Sequence, residues 1–285
     1  MLKTGIRSNG YFGLEDYAIG LKKMKTHGYD CVDFQGLMSP ASELYQMQEK
    51  DFIAYCVDLK KAANEAGIEL WQVHSLWPCD DRTKQGREQS TLFHEKAVRA
   101  AGIMGAKYLV IHPVLPYGFD SEPSQEEAHE LTIERLLRLL PVAKSEGVTV
   151  CLENMPMPQG HSFSSVQEVK DIVDFIHDDR VKICFDTGHC NVTGENHYEI
   201  IKLLGQDLVC LHIHDDIWRQ DRHLMPFQGE INWAGVTSAL KEISYNGCIS
   251  LETCIHPKTP EPMKEQLQIA LSNIAKFLAK EASVK

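Results

Sequence analysis

Acid/base and metal-binding side chains recur in this chain at the ends of short apolar segments. Histidines follow LWQV and YLVI, glutamates follow VTVCL and CISL, an aspartate follows VKICF, and a histidine lies within VCLHIHDD. These residues are His74, His112, Glu153, Glu252, Asp186 and His212. Carboxylates and imidazoles can bind divalent cations or transfer protons. The pattern predicts one shared site, provided that all six segments end on the same side of the fold.

The segments that carry these residues have the composition of buried parallel strands. Runs such as YLVI and VTVCL are apolar throughout, which indicates burial on both faces of a sheet. The predicted strands are residues 4–7, 31–35, 70–74, 108–112, 148–153, 181–186, 208–214 and 248–252.

Amphipathic segments alternate with these strands and predict helices. They lie near residues 14–27, 50–66, 91–104, 124–146, 164–177, 197–204, 233–244 and 261–280. Glycines just before the next strand are predicted to end several of them, because glycine adopts the left-handed conformation of helix ends. These glycines are Gly28, Gly67, Gly105, Gly147 and Gly247.

Eight β–α units with right-handed crossovers close most simply as a (β/α)₈ TIM barrel. A doubly wound open sheet is the competing topology. No low-complexity linker interrupts the alternation of predicted strands and helices, so residues 1–285 are interpreted as a single domain. A barrel brings the carboxyl ends of its strands to one rim, where barrel enzymes carry their chemistry.

The carboxylates at this predicted rim favour a metal site. Taken alone, a carboxylate at a strand end is usually a cap or ion-pair partner, and a lone histidine is usually a satisfied rim residue. Together, Glu153, Asp186 and Glu252 would accumulate negative charge in a partly dry site, which a divalent cation would offset. With His212 they form an oxygen-rich ligand set suited to Mn²⁺, Mg²⁺ or Co²⁺, and also to Zn²⁺.

Further polar residues surround this predicted set. His189 follows Asp186 by three residues, His214 continues the seventh strand, and the pair Asp221 and His223 is predicted in the loop behind it. Arg219 and Arg222 are suited to hold a phosphate or carboxylate, with solvated surface charge as the alternative. For Arg7, Asp33 and Gln35, a structural rim position and substrate contact are both open interpretations.

The overall composition limits the classes of partner. The net charge of −11 disfavours a large nucleic-acid footprint and attraction to anionic membranes. The nine cysteines include no CxxC pair, and five of them fall in predicted strands, which indicates buried thiols of a cytoplasmic protein. No segment resembles a signal peptide or a membrane span.

The motifs together resemble the xylose isomerase-like TIM barrels, which include sugar phosphate isomerases and epimerases and the endonuclease IV group. The motifs that carry the resemblance are VHSLWP, YLVIHP, VCLENMP, ICFDTGHC, LHIHDD, DRHLMPFQGEINW and ISLET. They span roughly residues 70–255. The resemblance is specific for the superfamily and says little about the substrate.

The resemblance to ketose 3-epimerases implies that Glu153, Asp186, His212 and Glu252 bind one ion. It also implies that the two glutamates shuttle the substrate proton and that His189 contacts a substrate oxygen. The resemblance to endonuclease IV implies instead a cluster of up to three zinc ions. Its ligands would be His74, His112, Glu153, Asp186, His189, His212, Asp221, His223 and Glu252.

These implications predict a metal-dependent isomerase or epimerase of a small sugar, sugar acid or sugar phosphate, acting through an enediolate. Predicted substrate contacts are His74, His112, His189, His214 and Arg219. The alternatives are a multi-zinc phosphodiester hydrolase, a sugar lyase or dehydratase, and a sugar-binding barrel without activity. The family resemblance also implies a homo-oligomer.

Overall fold

The computed structural model describes residues 1–120, 125–253 and 255–283. The strands in these ranges are β1 (Lys3–Arg7), β2 (Cys31–Phe34), β3 (Glu69–His74), β4 (Tyr108–Ile111), β5 (Thr149–Glu153), β6 (Val181–Asp186), β7 (Leu208–His212), β8 (Asp215–Ile217), β9 (Gln220–Leu224) and β10 (Cys248–Leu251). The α-helices are α1 (Tyr17–His27), α2 (Glu43–Gln46), α3 (Glu49–Ala66), α4 (Lys84–Met104), α5 (Gln125–Glu146), α6 (Val166–Ile176), α7 (Thr187–Thr193), α8 (His197–Leu204), α9 (Trp233–Glu242) and α10 (Glu261–Ala282).

Eight of the strands form one parallel sheet that closes into a barrel. The strand order is β10-β1-β2-β3-β4-β5-β6-β7. The two ends of this sheet meet beyond β7, where the Ile213 amide donates to the Ser250 carbonyl and the Glu252 amide donates to the Ile213 carbonyl, each at 2.9 Å. The predicted (β/α)₈ barrel is therefore confirmed, and the open doubly wound sheet is excluded.

Helix ends largely follow the local sequence. Gly28, Gly67, Gly105 and Gly147 all have positive φ angles, as predicted for residues that end helices. The prediction for Gly247 is wrong, because α9 ends earlier, at Glu242, and a non-glycine residue adopts the left-handed conformation (Ser244, φ 55°).

Three local structures near the candidate residues differ from the prediction. Asp221 and His223, predicted in a loop, lie in β9, which pairs with β8 as an antiparallel hairpin. His189, also predicted in a loop, lies in α7, which begins directly after β6. The predicted seventh strand is too long, because β7 ends at His212 and His214 follows it. Position 124, the predicted start of the long helix α5, lies outside the described residues.

The interior of the barrel contains a layer of free, buried thiols. It consists of Cys31, Cys151, Cys184, Cys210 and Cys248. Within the described ranges, no helix combines the length and apolar character needed to cross a membrane. The single domain, the cytoplasmic location and the homo-oligomer stay predictions.

Candidate metal and acid/base centre

The carboxyl ends of the barrel strands bring the four principal candidates to one rim. Glu153, Asp186 and His212 are the last residues of β5, β6 and β7, and Glu252 directly follows β10. Asp186 and His212 are adjacent in the β6–β7 register. All four side chains are buried. Their common position follows from the parallel barrel, in which every strand ends at the same face.

The centre of the site is the imidazole of His212. Its Nδ1 lies 2.8 Å from Glu153 Oε1 and 3.4 Å from Glu252 Oε2. Its Nε2 lies 3.1 Å from Asp33 Oδ2. Three carboxylates from three different strand ends therefore surround one imidazole ring, and Asp33 belongs to the site.

Two further histidines face the second oxygen of Glu153. His112 Nε2 lies 2.9 Å and His74 Nε2 lies 3.6 Å from Glu153 Oε2. This oxygen is buried and has no hydrogen-bond partner. The close approach to His112 therefore lacks hydrogen-bond geometry, although both groups are fully desolvated. Such an arrangement is typical of ligands that point at a common cation.

Asp186 belongs to a neighbouring group of imidazoles. Its Oδ2 lies 3.0 Å from His214 Nε2, and its Oδ1 accepts the backbone amide of His189 at 2.7 Å as the N-cap of α7. His189 Nδ1 lies 3.7 Å from both Asp186 Oδ1 and Glu153 Oε1. His189 therefore connects the Asp186 group to the His212 group.

The β8–β9 hairpin closes one side of the site. Asp221 Oδ2 lies 3.6 Å from His189 Nε2, and Asp221 Oδ1 lies 3.3 Å from His223 Nε2. His223 Nδ1 donates to the backbone carbonyl of Glu252 at 2.7 Å. Asp221 and His223 thus contact both Glu252 and the group of residues around Asp186.

The remaining candidates lie at the edge of this cluster. Arg7 Nη1 lies 3.8 Å from Glu252 Oε1, and Gln35 donates to the same oxygen at 3.5 Å. Arg219 is at the tip of the hairpin and is directed toward the end of α7, where a Cβ atom on Gly194 would lie 2.8 Å from its Nη2. Its contact with substrate stays a prediction.

Both glutamates are held in the ionised form. Burial alone would raise the pKa of Glu153, but His212 and His112 hold it well below its usual value. Burial also opposes ionisation of Glu252, yet His212 and His223 lower its pKa to about 2. Two charged carboxylates in a dry site are available to accept protons or to bind a cation.

His212 and His189 carry compensating charge. Burial would lower the pKa of His212, but the acidic groups around it, including Glu153 and Glu252, raise it well above its usual value. Burial also disfavours protonation of His189, while Asp186 and Asp221 raise its pKa to about 10. A bound cation would replace these protons, since imidazoles must lose a proton to bind metal.

The tautomers fixed by the backbone fit a metal site. His74, His189 and His223 each donate from Nδ1 to a backbone carbonyl, at 2.8, 2.7 and 2.7 Å. Metal-binding histidines are commonly held by such a hydrogen bond, which leaves the Nε2 lone pair for the ion. In each case Nε2 points to a carboxylate oxygen 3.3–3.6 Å away. The three Nε2 atoms, together with the unpartnered Glu153 Oε2, are suited to bind a divalent cation.

Several residue groups meet the distance requirement for a metal ion. Their ligand atoms lie within 4.8 Å of one another in each group. The groups include His74–His212–Glu252, His74–His112–Glu153, Asp186–His189–His214 and His214–Asp221–His223. The polar cluster therefore extends beyond the four principal candidates to every additional histidine and aspartate predicted as a ligand.

Asn154 is a site residue that the sequence interpretation missed. Its side-chain amide donates to the Asp186 carbonyl at 3.0 Å, and its side-chain oxygen accepts the Asp186 amide at 2.8 Å. Its backbone carbonyl accepts the Nδ1 proton of His189. Asn154 thus fixes two candidate ligands, and its position directly after Glu153 in VCLENMP was the available signal.

Comparison with known proteins gives the family. The family model of the xylose isomerase-like TIM barrel matches residues 21–273. The chain is 24% identical over 274 residues to inosose isomerase of Bacillus velezensis, covering 92% of this chain and 93% of that protein. It is 25% identical to probable endonuclease 4 of Metamycoplasma arthritidis, covering 95% and 100%. A 30% identical match to the uncharacterized protein MJ1311 of Methanocaldococcus jannaschii covers 63% of this chain and 62% of that relative.

Solved structures agree on the fold. The structure of D-psicose 3-epimerase with D-tagatose from Clostridium cellulolyticum H10 superposes with a TM-score of 0.81 at 20% identity, covering 99% of this chain and 100% of that one. At this identity the likeness speaks for the architecture alone. With the family model matched over most of its length, the chain belongs to the xylose isomerase-like TIM barrel family.

Proposed function

We propose that this protein is a divalent-metal-dependent isomerase or epimerase of a small sugar, sugar acid or sugar phosphate. The observation that carries the proposal is the pair of buried, ionised glutamates that meet at one imidazole nitrogen, with Glu153 Oε1 2.8 Å and Glu252 Oε2 3.4 Å from His212 Nδ1. Isomerase and epimerase names among the relatives support the same reaction class.

Glu153, Asp186, His212 and Glu252 would hold the ion, which is Mn²⁺, Mg²⁺, Co²⁺ or Zn²⁺. When bound, a divalent ion supplies a Lewis acid that offsets the negative charge developing on substrate oxygens. Glu153 and Glu252 remove and return the proton of the substrate C–H bond. Transfer from one face to the other gives epimerisation, whereas return to the neighbouring carbon gives isomerisation.

The surrounding residues orient this pair and the substrate. His212 contacts both carboxylates through Nδ1 and holds them near each other. His74, His112 and His189 present ring nitrogens to the same space and are proposed to contact substrate oxygens, together with His214 and Arg219. Because the site is buried, water is largely excluded, and each of these polar contacts is stronger than it would be in solvent.

Exchange of substrate hydrogen with solvent tests the proposal. The metal-loaded protein is incubated in deuterium oxide with D-psicose, D-tagatose and D-fructose, and deuterium entry is followed by NMR. Glu153→Gln and Glu252→Gln should each reduce exchange by about 10²–10⁴-fold, since each removes one acid/base group. Removal of metal by a chelator should abolish exchange, and added Mn²⁺ should restore it.

Glu69→Gln is the matched control. Glu69 begins β3 at the opposite end of the barrel, where it pairs with Lys3 and Lys107. The same substitution there should leave exchange within about twofold of the wild type. Exchange that persists in both rim variants, or that responds equally to Glu69→Gln, would contradict the proposed acid/base pair.

A second candidate is a multi-zinc phosphodiester hydrolase. The observation that favours it is the excess of ligand groups over the needs of one ion, including His74–His112–Glu153 and His214–Asp221–His223. Elemental analysis of purified protein separates the two. About one ion per chain supports the isomerase, whereas three zinc ions with cleavage of an abasic-site duplex support the hydrolase. A sugar lyase or dehydratase would show one ion and loss of water from the sugar.

A further inference from the structure

The imidazole of His212 faces a carboxylate at each of its two ring nitrogens. Its Nδ1 faces two of the proposed ligands, with Glu153 Oε1 at 2.8 Å and Glu252 Oε2 at 3.4 Å. Its Nε2 faces Asp33 Oδ2 at 3.1 Å. A neutral imidazole has one donor nitrogen and one nitrogen with a free lone pair. The nitrogen that keeps its proton therefore decides which acids share an ion with His212.

Asp33 reaches this ring from across the barrel interior. It is the third residue of β2, whereas His212 ends β7, and these two strands are not neighbours in the sheet. Asp33 is 1% exposed and His212 is 0% exposed, so water does not compete for their contact. The contact therefore connects opposite sides of the rim inside the protein.

The oxygen of Asp33 that faces His212 has the surroundings of a hydrogen-bond acceptor. Gln35 Nε2 donates to Asp33 Oδ2 at 3.2 Å, and His212 Nε2 lies 3.1 Å from the same oxygen with hydrogen-bond geometry. A proton on His212 Nε2 gives this oxygen a second donor. The lone pair then remains on Nδ1, which is directed at the two glutamates.

The other histidines of the centre are oriented by the main chain. In His74, His189 and His223, Nδ1 donates to a backbone carbonyl, and Nε2 is left for an ion. For His212 the corresponding acceptor is the Asp33 side chain, and the two nitrogens exchange roles. A substitution can therefore remove this acceptor without changing the main chain.

We propose that Asp33 is a positioning residue of the metal centre, which accepts the Nε2 proton of His212 and leaves Nδ1 to bind the ion beside Glu153 and Glu252. Gln35 holds the accepting oxygen in place. A carboxylate behind a metal-binding imidazole also makes the ring a stronger ligand. The inference rests on the proposed metal-dependent function, and it adds the ligand nitrogen of His212 and the residue that selects it.

NMR determines the ligand nitrogen directly. The protein is labelled with ¹⁵N-histidine and loaded with Zn²⁺, and long-range ¹H–¹⁵N correlation distinguishes Nδ1 from Nε2 in each ring. The ring of His212, assigned by comparison with His212→Gln, should carry its proton on Nε2 and bind zinc through Nδ1. A proton on Nδ1, with or without one on Nε2, would overturn the inference.

Removal of the acceptor should weaken metal binding. Asp33→Ala should raise the Kd for Zn²⁺ about 10–100-fold, as is usual when the partner of a metal-binding histidine is lost. Asp33→Asn keeps an oxygen that Gln35 can hold toward Nε2, so it should keep Nδ1 as the ligand and raise the Kd less. Competition with a chromophoric chelator measures these values. Equal Kd values in the wild type and Asp33→Ala would contradict the assigned role, and the wild-type spectrum decides the matter if Asp33→Ala does not fold.

Asp30→Ala is the matched control. Asp30 directly precedes the same strand at its amino end, where its Oδ2 accepts hydrogen bonds from the Thr4 amide and hydroxyl at 3.1 and 3.2 Å. Its loss should leave the Kd for Zn²⁺ within about twofold of the wild type. Thermal melting without metal should show that the variants are folded.

Failure of the proposed function and failure of this inference give different results, because neither the spectrum nor the Kd requires a substrate. Zinc bound through Nδ1 without deuterium entry into any ketose would contradict the function alone. Deuterium entry in a protein whose His212 binds zinc through Nε2 would contradict the inference alone. A wild-type protein that binds no zinc or other divalent ion would contradict both.

Discussion

The same strands contribute two different layers of side chains to the barrel interior. The layer of buried thiols, here called the floor, lies nearer the amino ends of the strands. Acids and imidazoles lie at the carboxyl ends, which form the rim. Residues two apart on a strand share a face, and the thiols precede rim residues by that spacing. The pairs are Cys31 and Asp33, Cys151 and Glu153, Cys184 and Asp186, and Cys210 and His212.

The difference between these layers shows how a charged site is accommodated inside a barrel. Burial raises the pKa of Cys184, Cys210 and Cys248 well above the usual thiol range, so these three thiols are neutral. Small apolar groups fill this layer without adding charge below the carboxylates. The rim layer can then concentrate charge for chemistry, while the floor contributes packing.

Among the changes that compare the two layers, the largest effect is expected at the rim, in α7. Gly188 in α7 has no space for a side chain, because a Cβ atom there would lie 1.9 Å from His214 Cε1 and 2.5 Å from Asp216 Oδ2. Gly188→Ala should displace His214 from Asp186 and reduce deuterium exchange about 10–100-fold, as expected for loss of a residue that orients ligands. Metal affinity, measured by competition with a chelator, should fall in parallel.

The matched change at the floor should affect stability rather than activity. A Cβ atom on Gly5 in β1 would lie 2.9 Å from Cys248 Sγ and 3.1 Å from the Cys31 carbonyl oxygen. Gly5→Ala should therefore cost about 1–3 kcal/mol of unfolding free energy through overpacking, measured by urea denaturation. Its exchange rate per folded molecule should stay within twofold of the wild type. A large loss of activity in this variant would remove the functional distinction between the two layers.

The sequence pattern predicted which residues lie at the rim, but not which of their side chains contact one another. The strand rhythm and the strand-end residues predicted the barrel and the common position of Glu153, Asp186, His212 and Glu252, because parallel strands end together. Which oxygen meets which nitrogen depends on barrel stagger and side-chain rotamers, which the sequence pattern does not specify. The link through His189 was therefore visible only in the structure.

The hairpin and the short helix escaped prediction for local reasons. The β8–β9 turn is formed by Trp218 and Arg219, both with positive φ, instead of the Asn-Gly or Gly-rich pairs that usually mark such turns. The α7 segment TGHCNVT has low helix propensity, and its start is stabilised by Asp186 as N-cap. In both places a tertiary contact or cap determines the local conformation.

The smallest effect is expected when the native protein is treated with a thiol reagent, because the cysteines of the floor should hardly react. In the native protein at pH 8, Cys184, Cys210 and Cys248 should resist an aromatic disulfide reagent, because burial both raises their pKa and prevents access. Peptide mapping by mass spectrometry should find these thiols modified only after unfolding in urea. Modification of native Cys184 at the rate of the unfolded chain would show that solvent reaches the layer below Asp186, and the neutral floor could then no longer explain how the rim concentrates its charge.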